Sequence, residues 1–392
     1  MIVEHIKCEC IKYSLPDEDS EPIITASSNV DDLLVAVINN KKNVLLYKIV
    51  NKELIYCETF YIGNSNKIIG FEWSKKNELL IITIDMKCII YIRDEKGIWS
   101  YNNVNIPTEE LPTCACWHPY AHSFAIGFSS GVIFICSKKN KQKWSIKKLV
   151  NHTGSILYLQ WNSSGLVLST NSVDSTSLLI CTLDLWEDNI VKKQSIKIFE
   201  KIKEFITEKN LKNYDIINKV ECKGYIFIYA TFSLSNEKVA MIANNFENNC
   251  EKQQIIIFDY LKSPIKVHFI SWIGQTLHKC LFIDEDKLLV YGYELFPIII
   301  ERSNDEWVIS KVVLPEFTIK NLTVDFFYDK KDIHDIEKEY NDMHGNKIIG
   351  EIVAHSNQIL QISMLESYEY KKYTQFITVS SDFNVIVWSF IL

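Results

Sequence analysis

Short apolar runs alternate with polar turns along most of the chain, and three of these runs share one frame. The segments "GFEWSKKNELLIITI", "CACWHPYAHSFAIGF" and "YLQWNSSGLVLSTNS" place Trp73, Trp117 and Trp161 at matching positions, each 44 residues from the next. In each, the tryptophan ends one apolar strand, a polar turn follows, and a second apolar strand begins. A third strand closes each unit: "CIIYIRD", "GVIFICS" and "SLLICTLD". Runs this short, bounded by turn residues, carry the period of strands and not of helices. A repeat of about 40 to 45 residues built from such strands is the spacing of propeller blades.

The pattern continues in weaker form on both sides. "LLVAVINNKKNVLLYKI" supplies two strands of an earlier unit. "YIFIYATFSLSNEKVAMIANN" with "QQIIIFDY", then "HKCLFIDEDKLLVYGYELFPIIIER", then "ILQISMLESYEYKKYTQFITVSSDFNVIVWSF" supply later ones. Seven units result, and the expected fold is all-β: a seven-bladed WD-repeat β-propeller, one domain over residues 1–392, with two partly helical insertions. The leftover N-terminal "HIKCECIKY" is placed to close the last blade, because an open propeller would expose its edge strands. The last repeat is nearest the WD ideal, with His355, Ser380, Asp382 and Trp388 where that motif places its four hydrogen-bonding residues. The aspartate is expected to hold the histidine, which bridges to the hydroxyl and on to the indole N–H. Such a buried network is tolerable because every member has a partner. His152 and Asp174 are expected to make a partial version in an earlier blade.

Cys114, Cys116, His118 and His122 lie close together and raise the question of a zinc site. The repeat argues otherwise, since it puts Cys114 to Trp117 on a strand. There Cys114, Cys116 and His118 face one way and Trp117 the other. Same-face neighbours on a strand are ~6.6 Å apart, and no second Cys-x-x-Cys pair follows. Small buried thiols are the expected reading. No phosphate-binding loop, Gly-x-Ser-x-Gly or His-Glu-x-x-His pattern occurs. Asp284, Glu285 and Asp286 read as a solvated turn tip. The chain is therefore expected to be no enzyme, with no catalytic, metal or cofactor-binding residue and no cofactor.

Composition narrows the class further. The 392 residues are 47% hydrophobic and 23% charged, with a formal net charge of -7. That charge lacks the basic footprint of a nucleic-acid binder. Eleven cysteines in a large chain whose N-terminus does not resemble a signal peptide suggest reduced thiols and a cytoplasmic protein. No run is long and apolar enough for a membrane span.

Two stretches break the repeat, and function on a repeat scaffold lives in such breaks. The first, about 185–216, falls between the fourth and fifth blades. Its "SIKIFEKIKEFITEKN" puts Phe199, Ile202, Phe205 and Ile206 on one face of a helix. That face either covers the propeller wall or receives a partner. The second, about 316–346, precedes the last blade. It carries Phe326, Phe327 and Tyr328, then Ile333, Ile336, Tyr340 and Met343 at helical spacing in a run dense with charge. Aromatic residues on a wet insertion mark a partner site.

"LPTCACWHPYAHSFAIGFSSGVIFICSKKNKQKWSIKKLV" resembles the WD-repeat subunit 1 of the actin-related protein 2/3 complex. The matching residues are Cys114, Trp117, Pro119, Phe124, Ala125, Gly127, Ser129, Val132, Ile135, Cys136 and Trp144. Phe296 and Pro297, the start "VEHIKCECIKY", and the pair Leu322–Thr323 opening the second insertion match as well. The resemblance is densest over residues 108–183. The second insertion is longer and more acidic than the family's, and 185–216 is rich in lysine and isoleucine where the family has prolines. The resemblance implies a non-catalytic propeller subunit that scaffolds actin-filament nucleation and branching. Its implied partners are the actin-related proteins and small subunits of the complex, the actin filament, and nucleation-promoting factors. Leu322, Phe326, Phe327 and Tyr328 would face the filament. The implied location is the cytoplasmic actin cytoskeleton, with the nucleus as a second site. A WD-repeat scaffold of another assembly, of chromatin or ubiquitin-ligase type, is the alternative.

Overall fold

The structure is a computed structural model. It describes residues 4–15, 23–27, 33–38, 43–50, 53–62, 67–94, 96–139, 143–185, 196–246, 253–272, 274–293, 297–315, 359–365 and 374–390. The chain opens with β1 (Glu4–Ser14). The first blade is β2 (Ile23–Ala26), β3 (Leu34–Ile38), β4 (Asn43–Val50) and β5 (Glu53–Tyr61). The second is β6 (Ile68–Trp73), β7 (Leu79–Thr83), β8 (Cys88–Arg93) and β9 (Trp99–Val104). The third is β10 (Pro112–Trp117), β11 (Ser123–Phe128), β12 (Val132–Lys138) and β13 (Trp144–Val150). The fourth is β14 (Ile156–Trp161), β15 (Val167–Ser172) and β16 (Thr176–Cys181), then helix α1 (Ile196–Glu208) and β17 (Ile216–Glu221). The fifth is β18 (Tyr225–Phe232), β19 (Lys238–Asn245), β20 (Gln253–Asp259) and β21 (Val267–Trp272). The sixth is β22 (Leu277–Asp284), β23 (Lys287–Gly292), β24 (Ile298–Ser303) and β25 (Glu306–Pro315). The seventh is β26 (Ile359–Met364), β27 (Thr374–Ser380) and β28 (Asn384–Phe390).

The described residues fall into two compact units. One unit comprises Met1–Lys41, Leu45–Glu58 and Ile270–Leu392. In it β1 does double duty. Glu4 to Cys8 run parallel to β25, and Glu9 to Ser14 run antiparallel to β28, so the seventh blade gains its fourth strand from the N-terminus. This is the pairing the leftover strand was expected to make. The Gln361 amide then ties the seventh blade to the first: its Oε1 accepts from Ala26 N and its Nε2 donates to Ala26 O, both at 2.8 Å.

The other unit comprises Lys42–Val44 and Thr59–Phe269 and holds four blades in the order of their sequence. The middle strands are apolar on both faces because blades stack on each. β7 reads LLIIT and β11 reads SFAIGF, with every residue buried. The outermost strands are wet, as in β9, where Ser100 to Asn103 are all exposed. The first insertion is corrected by one strand. It interrupts the fourth blade between β16 and β17 instead of following it, because β17 pairs with β16 along Thr176 to Ile180. The described part of the α1 stripe is covered, while the Phe199 side chain lies outside the described residues. Ile202 and Ile206 are buried among Leu166, Leu179, Phe227 and Val239, with Phe205 packed against them. At about 1.5–3 kcal/mol for each fully buried aliphatic side chain, that burial contributes to holding the helix on the fourth and fifth blades.

Candidate functional site

The strands place two polar anchors of the WD type. In the seventh blade Trp388 is fully buried on β28, stacked on Phe376 with ring centroids 5.4 Å apart. Its indole N–H donates to Thr378 Oγ1 at 2.8 Å. Thr378, and not the Ser380 that the motif spacing predicts, is the acceptor. Ser380 stands one same-face step further along β27, at the start of the turn, where its hydroxyl accepts from Asp382 N at 3.2 Å. The reason is register. Phe376 pairs with Trp388 and Thr378 with Ile386, so Thr378 is the hydroxyl beside the indole. Asp382 Oδ1 accepts from Asn384 N at 3.0 Å and shapes the turn, with Phe383 at φ 64°. His355 lies outside the described residues.

The fourth blade shows the network with its histidine in place. His152 Nδ1 is 3.1 Å from Asp174 Oδ2, and its Nε2 is 2.7 Å from Thr170 Oγ1. Asp174 also accepts from Thr153 N at 3.0 Å and from the Thr176 hydroxyl at 2.6 Å. Thr170 stands four residues before Asp174 as Thr378 does before Asp382, and Ile180 occupies the place of the tryptophan. Burial pushes His152 below its usual value against the pull of Asp174. Burial alone would raise the Asp174 carboxyl, but the Thr176, Thr153 and His152 contacts outweigh it and hold it low.

The cysteine and histidine cluster divides between structural roles. Cys114 and Cys116 pack with Ile156, Leu159 and Leu168. Trp117 packs on the other side with Leu80, Ile82 and Phe124, so the strand alternates as expected. His118 is buried in the turn after β10. Its Nδ1 takes Tyr120 N at 3.3 Å and its Nε2–H goes to Gly165 O at 3.1 Å. His122 Nε2 reaches Leu185 O at 2.5 Å. Among the described residues no three His, Cys, Asp or Glu side chains converge as metal ligands. Asp284 to Asp286 form the turn between β22 and β23, with Asp286 N donating to Asp284 Oδ1 at 2.8 Å. The aromatic insertion residues Leu322, Phe326, Phe327, Tyr328, Ile333 and Ile336 lie outside the described residues.

One pH dependence follows from the buried imidazoles. Burial, then the neighbouring His122, pull His118 down to about 3; His152 and His278 are lowered too. A folded value below the unfolded one means the unfolded chain takes up the proton first. The stability these residues contribute is therefore whole above about pH 6.5 and is lost as pH falls toward each folded value. From pH 7 to pH 5 His118 alone removes about 2 kcal/mol. Urea unfolding at the two pH values checks this. A His118→Gln variant losing as much as the wild type would refute the assignment.

No protein-family profile matches the chain. It is 24% identical over 131 residues to the WD repeat-containing protein dyf-2 of Caenorhabditis elegans, a segment that is 31% of this chain and only 9% of that protein. It is 17% identical over 301 residues to actin-related protein 2/3 complex subunit 1 of Saccharomyces cerevisiae, covering 76% of this chain and 70% of that one. Among solved structures, the β-propeller domain of Cps50 (Swd1) from Myceliophteria thermophila superposes with a TM-score of 0.56 at 11% identity, over 96% of this chain and 98% of that one. Saccharomyces cerevisiae Sqt1 does so with a TM-score of 0.56 at 11% identity, over the whole of both chains. No helix among the described residues is long and apolar enough to cross a membrane. Seven four-stranded blades, a 44-residue tryptophan frame and the His152–Asp174 turn anchor give this chain a seven-bladed β-propeller fold of the WD-repeat type.

Proposed function

We propose that the chain is a non-catalytic scaffold subunit, and specifically subunit 1 of an actin-related protein 2/3 complex. The observation that carries this reading is the length of the match to the yeast subunit. It runs over 76% of this chain and 70% of the relative, whereas the dyf-2 match covers a third of the chain. The burial of the α1 stripe supports it indirectly. Ile202 and Ile206 of the first insertion are buried in the fold, and the second insertion is the one we assign to a partner. In this reading Leu322, Phe326, Phe327, Tyr328, Ile333 and Ile336 are the partner-binding residues, the first four of them facing the actin filament. A few aromatic anchors at one to several kcal/mol each would dominate such an interface. The partners are two actin-related proteins, the small subunits, the filament and nucleation-promoting factors, in the actin cytoskeleton of the cytoplasm or in the nucleus.

A scaffold of a different assembly is the second reading. Two propellers with other names, Swd1 and Sqt1, superpose equally well, and the fold alone does not choose among partners. Affinity purification of the tagged chain from its own cells separates the two. Recovery of two actin-related proteins with small helical subunits is the expected result. Histones, ligase subunits, or a preparation without actin-related proteins would overturn the actin assignment.

A further inference from the structure

The blades of the unit spanning 59–269 have two ends, and the ends differ in charge. Antiparallel strands put the turns after the first and third strand of every blade at one end, and the remaining turns at the other. Contacts confirm that the turns of successive blades meet. Trp117 Nε1 donates to Glu72 O at 3.2 Å and His118 Nε2 to Gly165 O at 3.1 Å. Ser163 N donates to Asn236 Oδ1 at 2.8 Å. At the opposite end Val173 N bonds Ser155 O and Cys222 N bonds Ser175 O, both at 3.0 Å and both within the fourth blade.

The first of these ends is basic, in a chain whose net charge is -7. Turn 74–78 carries Lys75 and Lys76, and the β12–β13 hairpin carries Lys139 and Lys143. Turn 260–266 adds Lys262 and Lys266. All six lysines are exposed. Counting the described turn residues and leaving out α1, whose three lysines and three glutamates cancel, this end has nine lysines against five acids, a balance of +4. The other end has three lysines against four acids, a balance of -1. The third blade sets this polarity, because no Asp or Glu occurs from Leu111 to Val173.

Exposed apolar tips stand among the lysines: Ile98 at 62%, Leu234 at 51% and Ile265 at 41%. We infer that this lysine-rich end docks on an anionic lipid surface, with Ile98, Leu234 and Ile265 entering the headgroup region. The cations in its turns are lysines, which are compact and strongly hydrated and lack the planar fork that arginine offers a defined carboxylate. They sit on turn tips of separate blades. A bound acidic peptide would use the charges and leave the apolar tips in water. A bilayer interface uses both, since basic residues draw the surface in and apolar side chains insert at the headgroup boundary.

Sedimentation of the full chain with vesicles tests this. The chain is expected to pellet with phosphatidylserine-containing vesicles at low salt, to be released at high salt, and to stay in solution with pure phosphatidylcholine vesicles. Each lysine near such a surface is worth about fivefold in partitioning. The combined Lys76→Gln, Lys139→Gln, Lys143→Gln and Lys266→Gln variant should therefore partition roughly 10²–10³-fold less. An unchanged circular dichroism spectrum and melting temperature would show it folded. Lys87→Gln with Lys223→Gln, at the opposite end, should change nothing. No binding to the anionic vesicles overturns the inference, as does equal loss from the two variants. Retention on polyglutamate without vesicle binding also overturns it and makes the surface a site for acidic proteins.

Discussion

Gly165→Ala should destabilise the protein by about 4 kcal/mol, read as a large drop in the urea midpoint followed by circular dichroism. Gly165 sits in the turn between β14 and β15 at φ +72°, where a side chain costs roughly 1–2 kcal/mol of backbone strain. The larger share is steric. A Cβ built there would lie 2.2 Å from His118 Nε2 and 2.4 Å from its Cε1, and overpacking a closed site adds roughly 1–3 kcal/mol. The ring has little freedom to retreat. His118 is 1% exposed, lies edge-on to Trp161 at 5.3 Å, and donates to Gly165 O. The same carbonyl accepts from Thr182 Oγ1 at 2.8 Å, and Thr182 in turn receives the Trp161 indole N–H at 3.3 Å. Pushing His118 away thus disturbs a node joining the third and fourth blades. A double-mutant cycle separates the two shares. In a His118→Ala background, Gly165→Ala should cost only the backbone strain. A single Gly165→Ala variant within 1 kcal/mol of wild type would refute the account.

That node shows what the pattern of residues could reveal and what it hid. Trp73, Trp117 and Trp161 were legible because each ends a first strand and recurs at the same interval. The positive-φ turn position recurs with them, as Asn77, Ala121 and Gly165, again 44 apart, and as Asn236 in the fifth blade. Stacking the repeats would have exposed Gly165 as the place where the backbone turns left-handed. Its closeness to His118 is a contact between blades, and no local spacing encodes that. The outer strands were also hard to read. β9 is WSYNNV and mostly exposed, so it lacks the apolar alternation that marks a half-buried strand. The stripe of α1 was plain, but its two possible covers differ only in what lies opposite, which the fold supplied. Residue order along the motif points to Ser380 as the hydroxyl beside Trp388 because it does not state cross-strand register. Thr378, which holds that place, is an ordinary buried strand residue by sequence.

Trp388→Ala should cost about 4 kcal/mol and should loosen the N-terminal strand with it. The side chain is wholly buried, lies parallel to Phe376 at 6° and meets Tyr291 edge-on at 6.4 Å. Removing a buried tryptophan down to its Cβ forfeits the transfer energy and leaves a cavity, together roughly 3–5 kcal/mol. Trp388 also pairs across the sheet with Cys10 on β1. Amides from Cys10 to Ser14 should therefore lose protection against hydrogen exchange before those of β27. The indole hydrogen bond is a separate and smaller quantity. Trp388→Phe keeps most of the apolar contact and deprives Thr378 Oγ1 of its donor, which should cost about 1–2 kcal/mol. Adding Thr378→Val removes the acceptor as well, and a double-mutant cycle over the two positions measures what the pair itself contributes. A coupling near zero would mean that packing, and not the hydrogen bond, is what the indole contributes here. Protection of β1 unchanged in Trp388→Ala would mean that the N-terminal strand is held by β25 instead of by the blade it completes.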